Sequence, residues 1–165
     1  MTVWLIGMMG SGKSTVGKAV AETVGAVFYD TDEMVVDEEE RTIAQIWADE
    51  GEEGFRRREA RAVQSVPEDA IVAGGGGVVL DPANRETMAR SGKVVWLRAD
   101  AATLTERLQG ATGRPLLSER GTEITLSELL TVREAIYSEV ATHEVDTTSR
   151  TFADVVTEVV EIWRS

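Results

Sequence analysis

The sequence predicts an α/β fold, a parallel β-sheet covered on both faces by helices. Three observations carry the prediction. Short β-branched runs alternate with helical patterns along the chain, as βαβ units require. The C-terminal segment shows one continuous helical stripe, so the alternation closes on a helix. Glycine-rich and charged motifs fall directly after the predicted strands, where the right-handed crossovers of such a sheet place ligands.

Five segments read as strands: Val3–Ile6, Ala26–Tyr29, Ala70–Ala73, Lys93–Arg98 and Glu144–Val145. The helices between them have recognisable ends. The first opens near Gly12–Ser14 and stops at Gly25, a residue suited to the left-handed position beyond a helix. Thr42 caps IAQIWADE, which stops at Gly51. Asp81 caps a helix that carries Pro82 in its first turn, and Asp100 caps AATLTERLQ ahead of Gly110. Thr151 caps the last helix, whose stripe is Phe152, Val155, Val156, Val159, Val160 and Trp163. Neither an internal repeat nor a Pro/Ser-rich linker interrupts the pattern, so residues 1–165 read as a single domain.

Composition narrows the functional classes. Seventeen Lys+Arg stand against 29 Asp+Glu, a net charge of −12, with 42% hydrophobic and 28% charged residues. These are globular proportions, and they exclude a disordered chain. Cysteine is absent, which removes disulfides, thiolate metal sites and a cysteine nucleophile. The acidic excess opposes binding to nucleic acid or to an anionic membrane, yet leaves room for a small anion in a local basic pocket. No targeting signal is evident: the apolar opening MTVWLIGMMG lacks a basic leader, and Ile71–Leu80 falls short of the ~20 residues of a membrane helix. The expectation is a cytoplasmic protein.

The strongest chemical signal is Gly7-Met8-Met9-Gly10-Ser11-Gly12-Lys13-Ser14, which satisfies G-x-x-x-x-G-K-[ST] between a predicted strand and a helix. Glycines let the backbone curl until successive N–H groups converge on phosphate oxygens, and the helix N-terminus adds a favourable dipole. Gly10, Ser11, Gly12, Lys13, Ser14 and Thr15 form this cradle. Lys13 is placed to reach the β- and γ-phosphates, and the Ser14 hydroxyl to ligate Mg²⁺. Met8 and Met9 read as loop filler. The expectation is a purine nucleoside triphosphate site.

Opposite this loop the sequence assembles acids and arginines. Asp30 and Asp32 end the second strand, where one can cap the next helix while the other holds metal through water or accepts a proton. Arg56, Arg57 and Arg58 are successive residues of a predicted helix, about 100° apart around it, so one is expected to face inward. Glu59, three residues beyond Arg56, lies close enough to orient it. Gly74–Gly77 follow an apolar strand, the mark of a turn where a ligand meets bare backbone N–H groups. In TGRPLLS, Arg114 sits on a loop that reads either as a lid over the transferring phosphate or as plain surface. Arg133 and Tyr137 share a later helix and could be surface residues.

Together these motifs resemble the shikimate kinase family of small P-loop kinases. The resemblance runs nearly end to end: GMMGSGKST, DTD at 30–32, IAQIWADEGEEGFRRRE at 43–59, GGGGV at 74–78, GRPLL at 113–117, REAIY at 133–137 and VDT at 145–147. It implies a P-loop NTPase three-layer sandwich with a five-stranded parallel sheet of order 2-3-1-4-5. It also implies a substrate-binding helical segment at about 31–65 and a lid at about 110–122. On this resemblance Asp32 contacts the shikimate hydroxyls and is the candidate base. Arg56 and Arg133 clamp the carboxylate, with the turn Gly74, Gly75 and Gly76 beside it and Gly75 donating its N–H. Lys13 and Arg114 neutralise the transferring phosphoryl, Ser14 and Asp30 hold Mg²⁺, and Arg107 and Arg150 lie on the adenine side. The implied reaction is ATP-dependent phosphorylation of the shikimate 3-hydroxyl, on the route to chorismate and aromatic amino acids, by a monomer. Three positions depart from the family pattern: Val36, Glu40 and the stretch Thr148-Ser149-Arg150. The acidic run Asp37–Glu40 has no counterpart role.

Two rival readings remain at this stage. Another small-molecule kinase, for gluconate or a nucleoside monophosphate, would share the phosphate loop. A nucleotide-dependent switch would share it too, but would leave the glycine turn and the arginines without a purpose.

Overall fold

A computed structural model of the protein describes residues 1–109 and 122–165. The chain runs β1 (Thr2–Ile6), α1 (Lys13–Val24), β2 (Val27–Asp30), α2 (Thr31–Glu39), α3 (Ile43–Ser65) and β3 (Ala70–Ala73). A 3₁₀ turn at Val78–Leu80 then leads to α4 (Pro82–Ser91), β4 (Gly92–Arg98), α5 (Ala101–Arg107), α6 (Thr122–Val140), β5 (His143–Asp146) and α7 (Phe152–Arg164). All four strand pairings are parallel, in the order β2-β3-β1-β4-β5.

Alternation along β1 builds the two core layers. Val3 and Leu5 face α1 and α7, packing on Val16, Val20, Val155 and Val159. Trp4 and Ile6 face the other way, into Val63 of α3, Met88 of α4 and Leu126 and Tyr137 of α6. Each fully buried valine or leucine contributes about 1.5–3 kcal/mol, so these layers hold the sheet between its helices. Because β1 is central, the loop after it opens in the middle of the carboxyl edge of the sheet.

The expected caps are present. Thr42 and Gln45 form a reciprocal capping box, Asp81 accepts from Ala83 N–H, Asp100 from Thr103 N–H, and Thr151 from Asp154 N–H. Gly51 lies at φ 69°, ψ −173° and breaks α3 into two limbs, so IAQIWADE ends where expected although a second helix follows at once. The stripe of α7 differs in one member. Phe152, expected in the core, is 51% exposed, and Ile162 is buried in its place. Phe152 is the first helical residue, next to the Thr151 cap.

Glu40 occupies a left-handed position, φ 52° and ψ 27°, at the end of α2. A side chain there costs on the order of 1 kcal/mol, which glycine avoids at some loss of unfolded-state entropy. Glu40→Gly is therefore expected to raise Tm by about 1–3 °C in thermal melts. A lowered Tm would contradict this account of the strain.

Candidate active site

Positive φ at Gly7, Gly10 and Gly12 (142°, 83° and 93°) curls the loop between β1 and α1. Ser11 N–H closes it on Met8 C=O at 3.1 Å, and Lys13 and Ser14 begin α1. Lys13 Nζ donates to the carbonyls of Gly7 and Met8, each at 2.9 Å, so the ammonium is anchored beneath the loop. Met8 and Met9 are buried in the larger core layer and brace the loop from behind. A cavity of about 410 Å³ opens above it, walled by Lys13, Ser14, Asp30, Asp32, Gly75 and Arg107 among others.

The two strand-end aspartates divide their duties. Asp30 caps α2 by accepting from Asp32 N–H at 3.0 Å, and its second oxygen accepts from Ser14 Oγ at 2.5 Å. Asp32, one residue into α2, reaches the glycine turn. Ser14 Oγ and Asp30 Oδ2 thus present two hard oxygens side by side on the cavity wall. Among the described residues no group of three or more His, Cys, Asp or Glu gathers as a metal cage. Two protein oxygens beside an open phosphate cradle suit an ion that keeps several waters, the habit of Mg²⁺.

Space at the glycine turn explains its composition. A Cβ on Gly75 would stand 2.5 Å from Glu59 Oε1 and 2.8 Å from Asp32 Oδ1, and one on Gly76 3.4 Å from Arg133 Nη1. A Cβ on Gly77 would collide with the Arg56 guanidinium. Four charged side chains, Asp32 of α2, Arg56 and Glu59 of α3 and Arg133 of α6, therefore converge on backbone without side chains. The expected donation by bare N–H groups is altered. Gly74 N–H continues the sheet ladder to Leu5 C=O at 3.0 Å, and Gly75 N–H donates to Thr31 Oγ1 at 2.9 Å, tying the start of α2 to the turn. Gly75 contributes room in this arrangement, not its expected free donor.

The charges at the turn are unequally matched. Arg56 donates to Glu59 Oε2 at 2.6 Å, and Glu59 is wholly buried. Burial pushes the Glu59 carboxyl above its usual range, against the pull of the Arg56 guanidinium. Glu59 Oε1 has no hydrogen-bond partner among the described residues. Arg133, expected as possible surface, is only 3% exposed, and no carboxylate lies within ion-pair distance of it among the described residues. Tyr137 is likewise buried: its hydroxyl donates to Gly76 C=O, and its ring packs on Trp96 with centroids 5.8 Å apart. Thr31 was absent from the sequence-derived site, Glu59 was foreseen only as a neighbour that orients Arg56, and Tyr137 only as a residue that could be surface. The i+3 spacing to Arg56 pointed to Glu59, but no local signal distinguished Thr31 or Tyr137.

Burial pushes the Tyr137 hydroxyl up to about 12 from an ordinary 10.0. The folded state thus prefers the neutral phenol, and its contribution is complete below pH 10 and lost as pH rises towards 12. In thermal melts at successive pH values above 9, wild type is expected to lose Tm more steeply than Tyr137→Phe. Parallel curves would show that this hydroxyl does not couple to folding.

Also lining the cavity, Arg107 donates to Thr147 Oγ1 at 3.0 Å and to Thr147 C=O at 2.8 Å, which fixes its guanidinium. It also borders a cleft of about 180 Å³ with Gly12, Val16, Phe152 and Val155. Arg150 lines that cleft but is paired with Glu158 and donates to Asp154 C=O at 3.2 Å. Of the three adjacent arginines, two are covered, not one: Arg58 as well as Arg56 has little exposed side chain, because Glu39 and Glu50 hold it. Arg114 and residues 110–121 of the expected lid lie outside the described residues.

The family model described as shikimate kinase matches residues 9–164. The chain belongs to the shikimate kinase family. The shikimate kinase of Symbiobacterium thermophilum is 44% identical over 165 residues, covering 98% of this chain and 95% of its own. That of Marinomonas sp. is 37% identical over 161 residues, covering 95% and 88%. Among solved structures, shikimate kinase from Acinetobacter baumannii in complex with shikimate superposes with a TM-score of 0.95 at 32% identity, covering 99% of this chain and 92% of that one. A gluconokinase from Sinorhizobium meliloti shares the fold, with a TM-score of 0.66 at 24% identity over 97% and 89% of the two chains. As a member of the shikimate kinase family the chain is a kinase, and its sheet order and phosphate loop are those expected of P-loop kinases. No helix among the described residues is long and apolar enough to cross a membrane.

Proposed function

We propose that this site transfers the γ-phosphoryl group of ATP to the 3-hydroxyl of shikimate, giving 3-phosphoshikimate and ADP in the shikimate pathway. The observation that carries the choice of acceptor is Arg133, a buried guanidinium with no carboxylate partner among the described residues, packed behind Gly76, which itself lines the cavity. A guanidinium in such a place calls for an anionic oxygen pair from the ligand, and Arg56 stands across the turn to share it. A carboxylated polyol meets both arginines and leaves a hydroxyl towards the phosphate loop.

In the transfer, Asp32 accepts the proton of the attacking hydroxyl. That oxygen bonds to the γ-phosphorus as the bond from phosphorus to the β–γ bridging oxygen breaks, and the electron pair leaves on ADP. Lys13 and the loop amides hold the triphosphate in line, and Arg114 supplies further positive charge. Ser14 and Asp30 would hold Mg²⁺, which would neutralise charge on the phosphates. Gly74 and Gly76 shape the acceptor wall, while Gly10, Ser11, Gly12 and Thr15 line the triphosphate channel. Arg107 presents its fixed guanidinium to the base, with Arg150 at the rim. The net charge of −12 opposes nucleic acid and anionic membranes as partners, in keeping with a cytoplasmic monomer acting on small molecules.

A coupled ADP assay with a panel of hydroxy acids, gluconate included, tests this reading. ADP release that depends on shikimate supports it. An equal rate without shikimate, or a preference for gluconate, overturns it.

A further inference from the structure

The acidic run that ends α2 and the third arginine of α3 have so far no part in the chemistry, and they meet in one ion cluster. Arg58 Nε lies 2.8 Å from Glu39 Oε2, while its two Nη atoms reach Glu50 Oε2 at 2.8 Å and Glu50 Oε1 at 2.9 Å. Arg58 Nη1 also donates to Gly54 C=O at 2.9 Å. Arg41 Nη2 bridges the same acids, at 3.0 Å from Glu39 and 2.9 Å from Glu50, and Arg61 reaches Glu39 Oε1 at 3.1 Å. The side chains of Arg58 and Glu39 are 14% and 16% exposed, well covered for charges on a helix surface.

Their placement is the point. Glu39 ends α2, Glu50 ends the first limb of α3 immediately before the break at Gly51, and Arg58 belongs to the second limb. Asp32 rides on α2, and Arg56 and Glu59 ride on the second limb. The apolar contact that also joins these pieces is small, with Val35, Ile46, Phe55 and Ala62 at its buried centre. A glycine break at φ 69° gives the limbs a natural hinge, and bidentate guanidinium pairing across it restricts their angle. Networks of this kind are worth more than isolated surface pairs, because each side chain is ordered once for several contacts.

We propose that Arg58, held by Glu39 and Glu50, is a positioning residue for the acceptor: it locks α2 and the two limbs of α3 at the spacing that brings Asp32 and Arg56 to the glycine turn. The phosphate cradle stands on β1 and α1 and does not share this dependence. The inference rests on shikimate as acceptor, since it concerns the groups proposed to bind it.

The test is steady-state kinetics on Arg58→Met, Glu39→Gln, their double variant and Arg58→Lys, with circular-dichroism melts. Arg58→Met is expected to raise the shikimate KM about five- to tenfold with the ATP KM within about twofold. Glu39→Gln should raise it less, the double variant should not exceed Arg58→Met by the product of the two effects, and Arg58→Lys should recover part of the loss. An unchanged shikimate KM, or equal rises in both KM values, would overturn the positioning role. Should Arg58→Met fail to fold, Glu39→Gln and Arg41→Met decide the matter by the same KM split. Wild-type enzyme indifferent to shikimate would instead sink the acceptor assignment, so the two failures are distinguishable.

Discussion

Lys13→Ala is expected to lower kcat by about 10²–10³-fold, the loss of about 2.7–4 kcal/mol of transition-state stabilisation. Lys13 is the one cation of the phosphate loop itself, and its ammonium is held at 2.9 Å from the carbonyls of Gly7 and Met8. That anchoring keeps the charge at the base of the cavity before any phosphate arrives, so no reorganisation is needed during transfer. The loop curl depends on the glycines and on the Ser11 N–H to Met8 C=O bond, not on the lysine stem, so the fold should survive. Stopped assays at saturating ATP and shikimate, with a melt as control, measure the effect. A kcat within threefold of wild type would remove Lys13 from the phosphoryl-transfer machinery.

Arg133→Lys is the second large effect, although it keeps the charge. A planar guanidinium meets a carboxylate through two parallel N–H bonds, whereas an ammonium on a flexible stem offers a single point contact. Losing one charged hydrogen bond at a buried site costs about 1.5–3 kcal/mol, which is roughly a ten- to hundredfold rise in shikimate KM. Arg133 is buried against the turn at Gly76, whereas Arg107 is tied to Thr147, so the ATP KM should stay within about twofold. An unchanged shikimate KM would take Arg133 out of the carboxylate clamp and leave Arg56 as its sole guanidinium.

Much of the frame was legible in the residues alone. The caps at Thr42, Asp81, Asp100 and Thr151, the stops at Gly25 and Gly51 and the phosphate loop are encoded within a few positions of one another. Their physical causes are local: a side-chain oxygen for orphan N–H groups, a left-handed dihedral, a backbone curl. Asp30 and Asp32 were foreseen as one cap and one site residue, and the hydrogen bonds of Asp30 make it the cap. Phe152 shows where a periodic stripe misleads. It continues the spacing of the core residues, yet as the first residue of the helix it is half exposed.

What the sequence by itself determined is the set of parts: alternating strands and capped helices, and a cradle for phosphate after the first strand. Only the tertiary structure decided which charges are matched. Glu39 and Arg58 are nineteen positions apart, and Arg133 and Gly76 are fifty-seven apart. Burial, pairing and the room a glycine leaves depend on neighbours through space, and no helical or strand period records them. That is why three adjacent arginines that look alike in the chain become one covered residue paired with Glu59 at the glycine turn, one exposed residue and one covered residue paired with Glu39 and Glu50.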